Sequence, residues 1–250
     1  MTGLKRIIKQ KKIGIMNKKI EILVSVDDGN VLDMELAEVL LKYNIPAVFY
    51  IAPSYSDLQA HQIKCLSGTG NCELSKDMKG LFEIGSHTMT HPVDMKVLTD
   101  KELKYEVFES KKYLEMLLQG KEVSKFCYPK GKFDDRVKKA VKKAGYKMAR
   151  TTRQLSTELP KDMFEVATSV HAHGEKYHII DDGVPERFKD KTWVEVGYAL
   201  LDNVLTNGGK FELFCHSWEI EKYNSWEFLE SFLAYMDEVM ERIKYPRRKL

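Results

Sequence analysis

The chain has 250 residues, of which 43% are hydrophobic and 31% charged, and its formal net charge at pH 7 is +3. This length fits one α/β domain, lies near the size of a (β/α) barrel and buries a core without covalent cross-links. The small net charge gives no reason to expect a polyanionic partner such as nucleic acid. No run is long and apolar enough to predict a membrane span.

The first 20 residues are unevenly charged, with seven lysines and arginines before the first acid, Glu21. We therefore expect a basic N-terminal tail at 1–19 and one domain at 20–250. The tail lacks the continuous apolar stretch of a secretory signal, which predicts a cytoplasmic protein with free thiols. A disulfide or a small metal site between Cys65 and Cys72 is a second interpretation. The chain has four cysteines: Cys65, Cys72, Cys127 and Cys215.

Apolar runs alternate with segments of helical periodicity along the chain. Strands are predicted at 20–26, 46–51, 82–86, 124–128, 146–150, 165–170 and 210–215. Helices are predicted at 33–43, 75–80, 99–118, 134–144, 192–206 and 225–243. Thr99 and Glu102 form a capping-box pattern at one helix start, and Asp134 and Gly145 mark the ends of the next helix. This alternation predicts a distorted (β/α) barrel of about seven parallel strands, with loop insertions at 52–74 and 171–190.

Two neighbouring carboxylates, Asp27 and Asp28, end the first predicted strand and precede Gly29. Successive side chains of a strand point to opposite faces, but a glycine permits a sharp turn that directs both carboxylates to one edge. Taken alone, the pair is typical of a polar turn after a strand.

Two histidines, His87 and His91, follow the third predicted strand, with Pro92 directly after them. They share a face if this segment makes a helical turn. Two imidazoles and one carboxylate form a three-ligand metal site with an open position, as hydrolytic zinc enzymes require. We expect a divalent cation, with zinc as first choice and cobalt, nickel or iron as alternatives, and a second aspartate free to act as a base.

The order of these motifs resembles the polysaccharide deacetylase family, also known as the NodB-homology group or carbohydrate esterase family 4, from about residue 20 to about residue 240. The first motif of that family, Thr-Phe-Asp-Asp-Gly, is matched by Ser-Val-Asp-Asp-Gly at 25–29. The second, His-Ser/Thr-x-x-His-Pro, is matched at 87–92.

The resemblance implies roles for five residues. Asp27 would be the general base, and Asp28, His87 and His91 would bind the metal. The family's Leu-x-His motif is represented by Phe-Cys-His ending at His216, which would be the general acid. Taken alone, His216 is typical of a buried structural histidine.

The third motif, Arg-x-Pro-Tyr-Gly in the family, departs from the pattern at Cys127, where many members have an arginine that contacts the catalytic aspartate. Arg150, at the end of the next predicted strand, is our candidate replacement. Lys130 stands at the tyrosine position, whose backbone N–H helps to form the oxyanion hole. The resemblance places three residues at the substrate or oxyanion site: Tyr128, Pro129 and Lys130.

The aspartate–tryptophan motif of the family is poorly matched, and Asp190 and Trp193 are the nearest candidates. We interpret His61 and His178 as surface residues. Three further residues are predicted to line a substrate groove: His171, His173 and Trp218.

The sequence thus predicts a metal-dependent hydrolase that removes N-acetyl or O-acetyl groups from a sugar or polysaccharide. The expected partner is an N-acetylated glycan. Three alternatives stay open: a barrel that binds glycan without catalysis, an iron oxygenase with a facial triad of two histidines and one carboxylate, and nucleic-acid binding through the basic tail.

Overall fold

The computed structural model describes residues 18–174 and 184–244. Seven parallel strands form one sheet in the order β5-β4-β3-β2-β1-β7-β6, curled so that its two edges approach each other. The strands are β1 (Ile20–Asp28), β2 (Ala47–Ile51), β3 (Phe82–Ser86), β4 (Lys125–Cys127), β5 (Met148–Arg150), β6 (Val170–Ala172) and β7 (Gly209–Cys215). This architecture confirms the predicted distorted barrel of seven parallel strands.

Helices connect the strands and cover one face of the sheet. Within the described residues they are α1 (Asp33–Lys42), α2 (Ala60–Leu66), α3 (Ser75–Met78), α4 (100–117), α5 (Asp135–Lys143), α6 (Trp193–Asn207), α7 (Ser217–Lys222) and α8 (Trp226–Lys244). The middle of α4, Tyr105–Glu109, is a π-helical segment. The predicted caps are confirmed, because Thr99 and Glu102 form a capping box and Asp134 accepts from the N–H of Val137.

One predicted strand is wrong, at 165–170. The only ladder pairing of that stretch before β6 is a single bridge between Val166 and Arg150, and β6 begins at Val170 beside β7. The segment passes from one sheet edge to the other. Its backbone hydrogen bonds join it to the end of β5 and the residues that follow, since Val166 bonds Ala149 and Thr151, and Thr168 bonds Arg153. This crossing brings the edges of the curled sheet together.

Two helices, α2 and α7, were not predicted from the sequence. Helix α2 lies inside the predicted loop at 52–74, and its capping box uses Gln59 and Gln62 in place of the usual Ser, Thr, Asp or Asn. Helix α7 has six residues, too few for a periodic pattern to stand out. Residues 175–183 of the predicted 171–190 loop, including His178, lie outside the described residues, as do residues 1–17 of the predicted tail.

The prediction of four free thiols is wrong for Cys65 and Cys72, which form a disulfide with a Cα–Cα distance of 5.8 Å. The chain folds back between them because Gly68 adopts a φ of 72° and Gly70 packs against the backbone of Cys65, where a Cβ would lie 2.8 Å from the nitrogen. Cys127 and Cys215 are free and buried. No helix in 18–174 or 184–244 combines the length and apolar character needed to cross a bilayer.

The two faces of the sheet differ in chemistry. In β1, Val24 and Val26 pack with the helices in the main hydrophobic core. Ser25 and Asp27, which alternate with them, face the concave interior and are also buried. The interior face thus carries buried polar and charged side chains that lead to the carboxyl ends of the strands.

Phe232 of α8 tests this core. Its ring lies within 6 Å, centroid to centroid, of Trp193, Tyr198 and Phe211 and is fully buried. We expect Phe232→Ala to lower the free energy of unfolding by about 3–5 kcal/mol, because it removes a buried ring and leaves a cavity. Phe228 of the same helix is 52% exposed, so Phe228→Ala should change stability by less than about 0.5 kcal/mol. Urea denaturation measures both, and equal losses would contradict the assignment of the core.

Candidate active site

The chemically reactive side chains meet at the carboxyl ends of three strands. Asp27 and Asp28 end β1, His87 directly follows β3, and His216 directly follows β7. These strands are neighbours or separated only by β2. In parallel α/β sheets the loops at this edge converge, which makes it the usual position of a ligand site.

Three side chains are grouped with the spacing of metal ligands. Asp28 Oδ1 lies 3.7 Å from His87 Nε2 and 3.5 Å from His91 Nε2. Ligand atoms around one tetrahedral zinc ion are about 3.3 Å apart, since each lies about 2.0–2.1 Å from the metal. Oδ1 is also buried without a hydrogen-bond partner in the described part of the chain. The donor set therefore fits a divalent cation.

The remaining polar atoms of these ligands are held by neighbours. His87 Nδ1 lies 2.9 Å from the backbone oxygen of Cys127, and that contact leaves Nε2 to face Asp28. Trp218 donates its indole N–H to Asp28 Oδ2 at 3.2 Å. Such outer contacts fix the orientation and tautomer of metal ligands, so the site is organised before a cation binds.

The loop between the two histidines has an unusual backbone. Thr88 and His91 adopt φ values of 71° and 55°, a region that non-glycine residues rarely occupy. The carboxylate of Glu106, from the π-helical segment of α4, accepts from the N–H groups of Met89 and Thr90 at 2.9 Å each. The π segment directs Glu106 beneath the loop and thereby holds His91 in place. The sequence did not reveal this residue, because nothing in its spacing signals a contact 16 residues away.

Asp27 forms a buried ion pair with Arg150. The guanidinium bonds both carboxylate oxygens and is fully buried. It lies between the rings of Tyr50 and Phe214, 5.2 Å and 4.5 Å from their centroids, and its Nε is 3.7 Å from Glu212. Two acids and two aromatic faces therefore offset the cost of burying this cation.

Arg150 is placed to compensate for Cys127. The two residues are directly opposite each other in the β4–β5 pairing. The guanidinium therefore reaches Asp27 from the same height along the strands as Cys127, but from β5, which lies one strand further from β1. The Cys127 thiol lies 3.5 Å from Asp27 Oδ2. The Arg150 side chain thus contacts the same aspartate as the Cys127 thiol.

The charges around Asp27 keep it ionised. Burial alone would raise the pKa of Asp27, but Arg150 and, to a lesser extent, His87 and His216 outweigh burial and lower the pKa to about 2. The carboxylate is therefore negative at every pH above this value.

His216 is held by a carboxylate that the sequence did not reveal. Its Nδ1 lies 2.7 Å from Glu219 Oε2, and its Nε2 points to Asp28, 3.8 Å from Oδ2. Burial would lower the pKa of His216, but Glu219, Asp27 and Asp28 outweigh it and raise the pKa. The His216 ring therefore keeps its proton to a higher pH than an ordinary histidine does. The one sequence signal for this contact is that Glu219 follows His216 by three residues, the spacing of one helical turn.

The loop that carries His216 is tied to α1. Ser217 donates to Asp33 Oδ1 at 2.6 Å, and both side chains are buried. Burial raises the pKa of Asp33 well above its ordinary value. This contact fixes the start of α7 and with it the backbone at His216.

The third motif contains one residue with its polar groups already bonded, Tyr128, and one in an unusual backbone conformation, Lys130. Tyr128 is buried, its N–H donates to Arg150 and its hydroxyl to Phe164, so neither group faces substrate. Lys130 adopts a φ of 54° in the 3-10 turn Pro129–Gly131. Burial lowers the pKa of His91, and the positive charge of Lys130 contributes to that shift.

An open cleft of about 410 Å³ lies over Asp28, between Tyr55 and Trp218. Tyr55 is 53% exposed and stacks on His91 at 4.8 Å, and Trp218 is 36% exposed. Of the predicted groove residues, Trp218 lines this cleft, whereas His171 is buried and bonds Glu219 Oε2 at 2.9 Å. His173 is adjacent, with its Nε2 3.5 Å from Glu219 Oε1.

Two weakly matched candidates lie elsewhere. Trp193 is fully buried against Phe232 in the helical core, and Asp190 is exposed before α6. Neither residue takes the place of the family's aspartate–tryptophan motif at the site, because their segment packs with the helices and lies away from the carboxyl ends of the strands. His61 is exposed, as predicted.

Comparison with known proteins defines the family. The sequence profile described as polysaccharide deacetylase matches residues 15–149, more than half of the chain. The chain therefore belongs to the polysaccharide deacetylase family. Among curated proteins, no sequence match reaches significance.

Solved structures share the fold. Family 4 carbohydrate esterases from Bacillus anthracis and Streptomyces lividans, the latter in complex with acetate, are 17% and 15% identical to this chain, each with a TM-score of 0.52. The alignments cover 88% of this chain in both cases, and 77% and 90% of the respective esterases. The Streptococcus pyogenes deacetylase PplD in complex with acetate is 19% identical, with a TM-score of 0.50 over 59% of this chain. This chain spans 62% of that protein's length.

The Asp27–Arg150 pair makes a pH-dependent contribution to stability. The pKa of Asp27 falls from 3.8 to about 2 on folding, so the gain is complete above about pH 4 and disappears as the pH falls through about 2. In chelator-treated protein, the difference in unfolding free energy between wild type and Asp27→Asn should shrink by about 2 kcal/mol across that range. Denaturation series at successive pH values measure it. A difference that is constant with pH would contradict the ion pair.

Proposed function

We propose that this protein is a divalent-metal-dependent deacetylase that removes N-acetyl groups from a glycan. One observation carries the proposal: Asp28, His87 and His91 converge as a metal site, with Asp27 and His216 both directed at it. Membership of the polysaccharide deacetylase family supports this function, as does the acetate bound in two structural neighbours. Removal of an O-acetyl group would use the same residues.

Asp28, His87 and His91 would hold the cation through Oδ1 and the two Nε2 atoms. A bound zinc ion, or cobalt, nickel or iron in its place, supplies a Lewis acid for the acetyl carbonyl and lowers the pKa of a water ligand. Trp218 and the backbone of Cys127 hold these ligands in position.

Asp27 would accept the proton of the attacking water. It is ionised, and Arg150 bonds both its oxygens and so fixes its direction. General bases work best when their pKa lies near the working pH. Arg150 lowers the pKa of Asp27 far below neutral, so the ion pair orients the base at the expense of its basicity. A positioned base typically contributes about 10²–10⁴-fold to the rate.

His216 would donate the proton that the departing amine needs. Its raised pKa keeps a larger fraction of rings protonated near neutral pH, and Glu219 holds Nδ1 so that Nε2 faces the site. Backbone N–H groups near Lys130 would contribute to the oxyanion hole, where preorganised donors often provide most of the stabilisation of the transition state. Tyr55 and Trp218 present apolar ring faces to the sugar.

This arrangement accounts for more of the site than either alternative. A barrel that only binds glycan needs neither an oriented carboxylate nor a histidine with a raised pKa. A facial-triad oxygenase needs three ligands but no proton donor. Proton transfer accounts for both the ionised, oriented Asp27 and the Glu219–His216 pair, and neither alternative requires them.

The first test separates catalysis from metal binding. We expect Asp27→Asn to reduce acetate release from N-acetylated glycan fragments by about 10²-fold or more while bound metal stays at the wild-type level. Asp28→Ala should lose the metal itself, because it removes the one carboxylate ligand. Mass spectrometry of released acetate and elemental analysis provide the two readouts, with Asp77→Asn on exposed α3 as the control. Normal turnover in Asp27→Asn would rule out the assigned base.

The second test concerns Glu219, which acts through His216. Glu219→Gln removes the negative charge that helps to raise the pKa of His216. We expect kcat to fall by up to about 10²-fold and the alkaline limb of its pH profile to move to lower pH, because the acid loses its proton sooner. Glu219→Asp should restore part of the limb's position, and Glu221→Gln on the same helix serves as the control. An unshifted alkaline limb in Glu219→Gln would show that Glu219 does not tune the acid.

A further inference from the structure

Four side chains form a second group of metal-ligating atoms beside the proposed catalytic site. They are called the His/Glu cluster here and consist of His171, His173, His216 and Glu219. Ligand atoms of His171, His216 and Glu219 all lie within 4.8 Å of one another. None of the four is a proposed ligand of the first cation, and His216 is the proposed general acid.

The spacing in the His/Glu cluster suits one cation. Glu219 Oε2 lies 2.9 Å from His171 Nε2 and 2.7 Å from His216 Nδ1, and Glu219 Oε1 lies 3.5 Å from His173 Nε2. Donors around a tetrahedral zinc ion are about 3.3 Å apart, so small side-chain shifts bring the atoms of His171, His216 and Glu219 onto one ion. His173 lies next to this group, beside the second oxygen of Glu219. Imidazoles and carboxylates are ligand types that zinc and cobalt accept.

The rings are held in place by packing, and the cluster is reachable from solvent. His171 stacks on Phe214 at 4.2 Å, and His173 lies against Tyr223 at 4.7 Å. The side chain of His173 is 25% exposed and that of His216 17% exposed, while His171 and Glu219 lie deeper. A cation can thus enter past His173 and meet donors that are already oriented.

We propose that the His/Glu cluster is a second divalent-cation site, weaker than the first, whose occupation suppresses the proposed deacetylation. The suppression, though not the site itself, rests on the proposed function. On binding, the cation takes the lone pairs of His171 Nε2 and His216 Nδ1, and the protons of those nitrogens pass to solvent or to the other ring nitrogen. The site should be weaker because the cation must replace hydrogen bonds that already satisfy Glu219.

Occupation disables the acid in two ways. Glu219 Oε2 binds the cation and no longer accepts from His216 Nδ1, so the hydrogen bond that holds the ring is lost. The cation also takes the position of the Nδ1 proton, so the second site instead of Glu219 sets how Nε2 faces Asp28. Excess metal should therefore inhibit the enzyme that a first equivalent of metal activates.

Cobalt titration of the full chain tests the site without any measurement of activity. Visible absorption and calorimetry should show two Co²⁺ ions per wild-type chain, one of them bound at least about tenfold more weakly. Asp28→Ala with His91→Ala should keep only the weaker ion. His171→Gln with His173→Gln should keep only the tighter ion, and His61→Gln should keep both. Circular dichroism establishes that each variant is folded, and His173→Gln alone, at a partly exposed position, should weaken the second ion if the double variant unfolds.

The outcomes separate the two proposals. A wild-type chain that binds one ion at saturating Co²⁺, or a second ion that survives in both His173→Gln and the double variant, would overturn the second site. Two ions retained by Asp28→Ala with His91→Ala would instead overturn the metal site of the proposed function. In the activity assay, loss of turnover at excess Zn²⁺ should need about tenfold more metal in His173→Gln, and unchanged inhibition there would overturn the suppressive role.

Discussion

The buried pair between Asp27 and Arg150 depends on the shape of the whole sheet. Asp27 ends β1 and Arg150 ends β5, and three strands lie between them. In a flat sheet, four strand spacings would separate the two backbones by about 19 Å, beyond the reach of an arginine and an aspartate. The ion pair therefore exists only because the sheet curls until opposite sides of its concave face approach. Removing either partner would leave a buried charge alone, which typically costs several kcal/mol.

The interior of the curled sheet continues this pattern of charge. Lys210 bonds Glu212, Glu212 lies beside Arg150, and Arg150 bonds Asp27. Each buried charge has an opposite neighbour, so the interior stays polar without isolated ions. The chain of alternating charges ends at the strand edge where Asp27 faces the metal ligands. The main hydrophobic core lies on the other face of the sheet, so the requirements of stability and of chemistry are largely separated between the two faces.

The parts of the site that the sequence reveals are those encoded locally. Asp27 and Asp28 follow one strand, His87 and His91 follow another, and their spacing alone points to a metal site. Arg150 could be suggested because strand ends of a parallel sheet share an edge. Glu106 was missed since the π segment that directs it leaves no pattern in the sequence. Glu219 was missed although it follows His216 by one helical turn, because a helix of six residues is too short to be predicted. The disulfide was only a second interpretation, because seven residues of separation allow but do not require the turn at Gly68 that brings the two cysteines together. The crossing segment before β6 was missed because its course depends on pairings between distant parts of the chain.

The backbone at the site shows how these remote residues matter. Four non-glycine residues there occupy the left-handed region: Asp28, Thr88, His91 and Lys130. Such conformations are unfavourable by themselves and persist only where surrounding contacts determine them. Here the contacts come from Trp218, which bonds Asp28, and from Glu106, which bonds the loop before His91. The geometry of the ligands therefore depends on α7 and α4 as much as on the motifs themselves. His216 makes the same kind of connection, because its Nδ1 faces Glu219 of α7 and its Nε2 faces Asp28 at the end of β1, so one ring joins the short helix to the strand edge.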